Sequence, residues 1–425
     1  MPAYSGFIEL NYKPNKNDLI AGFFLEPNNC AFAEAAQAIA SESSIGTWTD
    51  IATLKKETRE RLKARIFYLN EKEGTAKIAY PLELFELGNI PQLLSSVAGN
   101  VFGMSIVNNL RLQDIEFPEA YIKAFKGPEF GVQGIRKLMR IEKRPLIGTI
   151  IKPKLGLNEK EHAKVAYNAW LGGIDIVKDD ENLTSMPFNN FQKRVQETLK
   201  MRDKVQEETG EKKIYMPNIT AECNEMLKRG KFIKEAGGEY AMVDLITLGF
   251  SSLQSLRDAE LKLVLHGHRA MHAAFTRNPK HGISMLVIAK LCRLIGLDQL
   301  HVGAIVGKMT GEKEEVKLIG EEIEQQIITE KEESHLLAEN WFNIKPVFAV
   351  CSGGLHPGKI PALIQAMGRD IVIQAGGGIH GHPKGTIAGA KAMRQSVEAT
   401  IAGIQLHEYA KTHKELREAL EKWKD

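Results

Sequence analysis

The sequence lacks any run of about 18 uncharged apolar residues, and it opens Met1-Pro2-Ala3-Tyr4-Ser5 without a basic segment leading into an apolar one. Neither a membrane-spanning helix nor a secretion signal is expected, and the chain reads as a soluble, cytoplasmic protein. Cysteine is scarce: Cys30, Cys223, Cys292 and Cys351 stand far apart with no Cys-x-x-Cys pair. That argues against thiolate metal centres and disulfide frameworks and leaves four buried free thiols as the expectation. Nor is there a surplus of charge, since 56 Lys and Arg against 53 Asp and Glu leave +3, and no basic block stands without interleaved acids. Nucleic acid and membrane surfaces are therefore poor partners. Internal repeats and low-complexity segments are also missing. What is present is 43% apolar residues over 425 positions, enough for a large barrel core plus a smaller domain.

From about residue 145 onward, short apolar, β-branched runs alternate with long amphipathic segments. That is the signature of a parallel sheet with crossover helices. Eight such runs occur: Leu146 to Lys152, Ile174 to Lys178, Ile214 to Asn218, Ala241 to Leu245, Leu263 to His266, Gln299 to Val302, Val347 to Ser352 and Ile371 to Ala375. The expected fold is α/β, a C-terminal (β/α)8 TIM barrel preceded by a smaller α+β domain, with chemistry at the C-terminal ends of the strands. The Gly127-Pro128 step marks a boundary, giving domains 1–127 and 128–425. In the first, strands are expected near Phe7 to Tyr12 and Ala76 to Tyr80, and helices near Phe32 to Ala40 and Ile90 to Val97. The densely charged stretch 311–341 reads as a solvated helix, and the tail beyond Leu406 as a charged surface helix.

The polar clusters fall at the ends of these runs. Lys178-Asp179-Asp180-Glu181 closes the second. Alternation puts Lys178 and Asp180 on one face and a turn can bring Glu181 round, so two carboxylates meet as ligands for a hard cation such as magnesium. A free ammonium would repel that cation. A carbamate formed with carbon dioxide would remove the conflict. Lys152 and Lys154, two apart at the first strand end, point the same way on this reading and call for anions, for proton transfer, or simply for solvent. Ser352-Gly353-Gly354 and Gly376-Gly377-Gly378 place bare backbone N–H groups after strands seven and eight, where barrels often hold a phosphate. His268, Arg269 and His272 allow either zinc ligation or anion binding by Arg269 with His268 as acid or base, the two histidines sharing a helix face. Gly307-Lys308-Met309-Thr310-Gly311 has the form of a lid that brings a lysine over a substrate. Cys351 beside the glycines is a weak candidate for a catalytic thiol.

Together these residues resemble the large subunit of ribulose-1,5-bisphosphate carboxylase/oxygenase (RuBisCO) over nearly the whole chain. The resemblance is carried by 148–156, 172–182, 266–273, His301-Val302-Gly303, Gly307-Lys308, Ser352-Gly353-Gly354 and Gln374-Ala375-Gly376-Gly377-Gly378, with 42–48 and 99–103 in the small domain. The short N-terminus and Thr276-Arg277-Asn278-Pro279 are most similar to the archaeal form III branch. The resemblance implies carboxylation of ribulose 1,5-bisphosphate, with oxygen competing, in AMP and nucleoside salvage. It implies Mg2+ held by Asp180, Glu181 and a carbamate of activator carbon dioxide on Lys178, which also takes the C3 proton. An unperturbed lysine is neutral only about one part in a thousand at pH 7.5, so burial must lower its pKa. Lys308, positioned by Glu42, would stabilise the new carboxylate, His268 would assist at C3, and Lys152, supported by Lys154, would protonate the departing carbanion. Gly353, Gly354, Gly376 and Gly377, with Thr47 and Trp48 of a partner subunit, would seat one phosphate and Arg269 with His301 the other. Ser352, Gln374 and Asn100 would bind other substrate oxygens. A homodimer or assembly of dimers follows, because the small domain reaches into the partner's site. Ala304 and Thr310 depart from the plant-type pattern, where threonine and glutamate are usual. A RuBisCO-like enolase, a carbamate-bridged metal hydrolase and a non-catalytic scaffold are the competing readings. The first is disfavoured by the presence of Lys308, Glu42, Thr47, Trp48 and Asn100, and the second by the position of the His-x-His motif at the fifth strand.

Overall fold

Parallel strands covered by helices on their outer side and by one another within are buried on both faces, so their sequences read as short unbroken apolar runs. The computed structural model, which describes residues 4–49, 51–306 and 313–424, turns each of the eight runs into such a strand. Labelled after four strands of the N-terminal region, they are β5 (Leu146–Ile150), β6 (Ile176–Lys178), β7 (Ile214–Met216), β8 (Tyr240–Asp244), β9 (Val264–His268), β10 (Gln299–Gly303), β11 (Phe348–Ser352) and β12 (Ile371–Gln374). They form one 8-stranded sheet in the order β7-β6-β5-β12-β11-β10-β9-β8. The two ends meet where Met242 N donates to Pro217 O at 2.9 Å and Ile219 N to Met242 O at 3.0 Å, which closes the barrel.

Local sequence sets the helices between strands. Asn158 and Glu161 make a reciprocal capping box at the start of Glu159–Leu171. Asn190 caps Phe191–Thr209 through Lys193 N, and Gly210, at φ +69°, ends it; these are the residue types such positions select. Inside the barrel, Leu146, Ile176, Ile214, Tyr240, Val264, Phe348 and Val372 pack in one buried cluster with Val132, Ile135 and Met139 of the helix Gly131–Met139. Asp298, fully buried, fastens that helix: its Oδ1 accepts from Phe130 N and Gly131 N, and its Oδ2 from Arg257 and Leu265 N. One end of the barrel is thus plugged, and the functional groups collect at the other.

The chain divides into two compact units. One is Met1–Gly127 with Met271–Ile295 and Gln325–Ile344; the other is Pro128–Ala270 with Gly296–Glu324 and Lys345–Asp425. The first holds β1 (Asp18–Pro27), β2 (Arg65–Asn70), β3 (Thr75–Pro81) and β4 (Val107–Glu116), paired in the order β4-β1-β3-β2, with the short strand Gly282–Ile283 added parallel to β4. Helices lie at Phe32–Glu42 and Ile90–Val97 as expected.

Several expectations need correcting. Phe7 to Tyr12 is not a strand: Ile8 makes one isolated bridge to Ile66, and the chain turns as Tyr12 N donates to Glu9 O. The charged stretch is only partly a solvated helix. Lys313–Glu324 buries Val316, Ile319, Glu322 and Ile323, and beyond it Ile327–Ile328 pairs with Glu339–Asn340. The tail is two helices, Leu406–Tyr409 and Lys414–Lys422, with Leu416 and Ala419 buried. Of the four thiols only Cys292 and Cys351 are buried; Cys30 and Cys223 are partly exposed. Burial pushes the Cys351 thiol up to about 12, which removes it as a nucleophile. No helix among the described residues is long and apolar enough to cross a membrane.

A candidate active site at the mouth of the barrel

β6 delivers its last residue, Lys178, into the barrel interior with no solvent exposure. Its Nζ donates to Asp179 O at 2.8 Å, lies 2.9 Å from Met242 Sδ, and stands 4.0 Å from Glu181 Oε2. Burial lowers the pKa of this amine against the opposing pull of Glu181, Asp244 and Asp180. Such an amine is far more often neutral than a lysine in water.

The three acids that follow divide their work. Asp179, fully buried, turns away from the cavity and is held by Arg194, Tyr215 Oη and Asn218 N. Burial raises its pKa, but Arg194, His162 and the Asn218 N–H outweigh that and bring it to about 2. Anchoring Asp179 fixes the turn that presents its neighbours. Asp180 accepts from Lys152 Nζ at 2.7 Å and from Asn182 N and Nδ2 at 3.1 and 2.9 Å. Glu181 lies 3.8 Å from His268 Nε2, and the other nitrogen of that ring, Nδ1, is 2.9 Å from Asp244 Oδ1. Asp244 therefore orients His268, a role the sequence reading did not assign.

A cavity of about 920 Å³ opens above these groups, lined by Lys152, Lys178, Glu181, His268, Arg269, His301, Ser352, Gly353, Gly354, Gln374, Gly376 and Gly377. Lys359, Lys422 and Lys424 add cationic side chains to the lining. The Gln374 amide is 1% exposed, and neither its oxygen nor its nitrogen has a hydrogen-bond partner. A buried amide in that state is a seat for a ligand group. Glycine is required at 303: φ is +115° and a Cβ would stand 2.8 Å from Arg269 Nη2, so only a bare backbone leaves the guanidinium its place. At Gly354 and Gly377 a Cβ would meet nothing within 4 Å, which leaves open space over the backbone for a phosphate-sized group.

Not every candidate arrives as the spacing suggested. β5 ends at Ile150, so alternation does not run through Lys152 and Lys154; Lys152 reaches Asp180 while Lys154 is exposed and outside the lining. His268 and His272 share no helix face, because Met271 adopts φ +68° and the helix begins only at Ala273; His272 Nδ1 lies 2.9 Å from Thr276 Oγ1. Glu42, Thr47, Trp48 and Asn100 belong to the first unit, where the Trp48 side chain is 75% exposed and Asn100 is exposed. Lys308 and Thr310 lie outside the described residues.

Among the described residues no three His, Cys, Asp or Glu side chains are grouped to hold a metal ion. Asp180 and Glu181 supply two carboxylates, and the adjacent Lys178 amine would become a third oxygen donor as a carbamate. The donor set fits magnesium on that condition.

Residues 6–121 match the family model of the ribulose bisphosphate carboxylase large chain, N-terminal domain, and residues 131–423 that of its catalytic domain. The chain is 54% identical over 421 residues to a ribulose bisphosphate carboxylase of Methanosarcina mazei, covering 98% of each. It is 51% identical to one of Methanocaldococcus jannaschii, covering 98% of this chain and all 100% of the other. Among solved structures it is similar to the dimeric archaeal Rubisco from Hyperthermus butylicus, with TM-score 0.93 at 46% identity and 98% of each chain covered. The octameric enzyme from Pyrococcus horikoshii OT3 gives TM-score 0.91 at 50% identity, covering 98% of this chain and 96% of that one.

Proposed function

The chain belongs to the ribulose bisphosphate carboxylase large-chain family, and from that premise we propose that it joins carbon dioxide and water to ribulose 1,5-bisphosphate, giving two 3-phosphoglycerates, with oxygen as the competing gas. The observation that carries this reading is the desolvated Lys178 amine beside Asp180 and Glu181 at the mouth of the barrel. A neutral amine attacks carbon dioxide and loses a proton to become a carbamate, which adds an anionic oxygen donor to the cluster. The carbamate, Asp180 and Glu181 would hold Mg2+, which when bound would supply Lewis acidity to the sugar's oxygens. The free carbamate oxygen takes the C3 proton. His268, held by Asp244, moves protons at the C3 oxygen. Lys152, already hydrogen-bonded to Asp180, protonates the carbanion left when C2–C3 breaks, with Lys154 nearby in sequence supporting it. Lys308, positioned by Glu42, closes over the new carboxylate.

Gly353, Gly354, Gly376 and Gly377 receive one phosphate, and Arg269 beside His301 the other; Ser352, Gln374 and Asn100 bind the remaining oxygens. Domain 1–127 of one subunit supplies Glu42, Thr47, Trp48 and Asn100 to the barrel 128–425 of its partner. The smallest active species is then a homodimer, and dimers can assemble further. As part of this reading the reaction serves AMP and nucleoside salvage in the cytoplasm, a role that likeness to archaeal relatives supports.

Purified protein incubated with Mg2+, labelled bicarbonate and ribulose bisphosphate is expected to yield labelled 3-phosphoglycerate, read by mass. Substrate binding with deuterium exchange at C3 but no label would instead identify an enolising relative. Sharing of sites has its own test. Lys178→Ala and Trp48→Ala/Asn100→Ala subunits, each inactive alone, should regain up to about a quarter of wild-type activity when unfolded and refolded together, since mixed dimers carry one intact site. Failure of every mixture to recover activity would sink the shared site.

A further inference from the structure

Behind Ser352 and His301 lie two buried side chains, His266 and Gln299, that the proposed chemistry leaves unused. Ser352 Oγ is 2.8 Å from His301 Nδ1, His301 Nε2 is 2.9 Å from His266 Nε2, and His266 Nδ1 is 2.9 Å from Gln299 Oε1. His266 and Gln299 have no solvent exposure and His301 has 2%. Burial above all, and then the neighbouring positive groups, hold both imidazoles well below the usual histidine range. Each ring is therefore neutral and carries one N–H and one lone pair.

Two neutral rings in series make the three contacts run in a single sense. In one sense Ser352 donates to His301, His301 to His266, and His266 to the Gln299 carbonyl; the serine proton is then turned away from the cavity. In the other, the Gln299 amide nitrogen donates to His266, His266 to His301, and His301 to Ser352, so the serine proton is free to point into the cavity. The group that ends the line must accept in the first case and donate in the second. A glutamine amide does both by half a turn about its last bond. In the geometry observed Gln299 Nε2 has no hydrogen-bond partner, so the turn breaks no other bond of that nitrogen.

We propose that Gln299 and His266 are positioning residues that set the direction of the Ser352 hydroxyl and let it donate to an anionic oxygen of the substrate. This rests on the carboxylase reading only for the identity of the substrate. Ser352 lines the cavity beside Arg269, Gly353 and Gly354, where such an oxygen would lie.

The test is a double-mutant cycle. Gln299→Leu is expected to weaken ribulose bisphosphate about tenfold, the order of one hydrogen bond to a charged group, with kcat changed less than about threefold. Ser352→Ala should weaken it similarly, and Gln299→Leu added to Ser352→Ala should weaken it no further. Gln299→His, which can donate or accept, should restore affinity to within about threefold. Additive losses in the double variant, unchanged affinity in Gln299→Leu, or failure of histidine to rescue would each overturn the proposal; Gln299→Met replaces the leucine variant if that does not fold. Affinity is read both as KM and as Kd by calorimetry. A wild type that binds ribulose bisphosphate without forming product would overturn the carboxylase reading and still leave the cycle in Kd to judge the hydrogen-bond line.

Discussion

Replacing Lys178 by alanine is expected to abolish 3-phosphoglycerate formation, by at least about 10⁴-fold, without unfolding the protein. The amine makes two contacts, to Asp179 O and Met242 Sδ, in a site with no solvent exposure, so its removal leaves a small void and one carbonyl short of a donor, a loss of roughly 1–3 kcal/mol. What disappears is the buried amine that would become an oxygen donor beside Asp180 and Glu181. Lys178→Arg makes the sharper control, since it keeps a cation of similar reach and cannot form a carbamate. Rapid gel filtration after labelled bicarbonate and Mg2+ should carry label with the wild type and with neither variant. Because burial lowers the amine's pKa, the reactive neutral form grows as pH rises through that depressed value, and activation should be faster at pH 8 than at pH 6.5. Product from Lys178→Ala would remove the carbamate from the mechanism.

The barrel was legible because its strands are short, buried on both faces and bounded by turn residues, so that each appears as one apolar run ending in a polar cluster. β2 and β4 were not, because antiparallel strands with one wet face interleave polar residues: Arg65–Asn70 has a single buried position and Val107–Glu116 mixes Asn, Arg, Gln and Asp with its apolar residues. β1 is apolar enough, but nothing in the strand itself tells it from a buried helix segment. At the site, groups close in sequence could be read as a unit, as with Lys178, Asp180 and Glu181. Partners made by the fold could not. Asp244 meets His268 from 24 residues away, Asp179 meets Tyr215 from 36, and Gln299 meets His266 from 33. Only the register of neighbouring barrel strands brings these pairs into line. Lys154 erred in the other direction, because strand alternation was carried past Ile150, where the strand stops.

In the first unit, Lys290→Met and Glu116→Gln should move stability in opposite directions. Lys290 Nζ is fully buried, 2.8 Å from Asp114 Oδ1, 2.7 Å from Ile115 O and 3.5 Å from Glu339 Oε2. Its loss leaves Asp114 and Glu339, both buried, without that cation, a change worth about 3–5 kcal/mol at neutral pH. The deficit should shrink in acid, where the two carboxyls can take up protons. Glu116 lies at the end of β4 near the same cluster. Burial, with Glu330 and Asp114 adding to it and Lys290 and Lys77 opposing, raises its pKa to about 7 from 4.5. For an acid with a raised folded-state pKa the penalty is absent below the unfolded value, grows between the two, and is complete above the folded one. Glu116→Gln, which cannot ionise, is therefore expected to match the wild type near pH 4.5 and exceed it by about 1–3 kcal/mol at pH 8. Denaturant midpoints of the three proteins across pH 4.5 to 8 decide it. A Glu116→Gln gain that stays constant with pH would mean that the carboxylate is already relieved in the folded chain, and a Lys290→Met deficit that does not shrink in acid would mean that the lysine contributes by packing, not by charge.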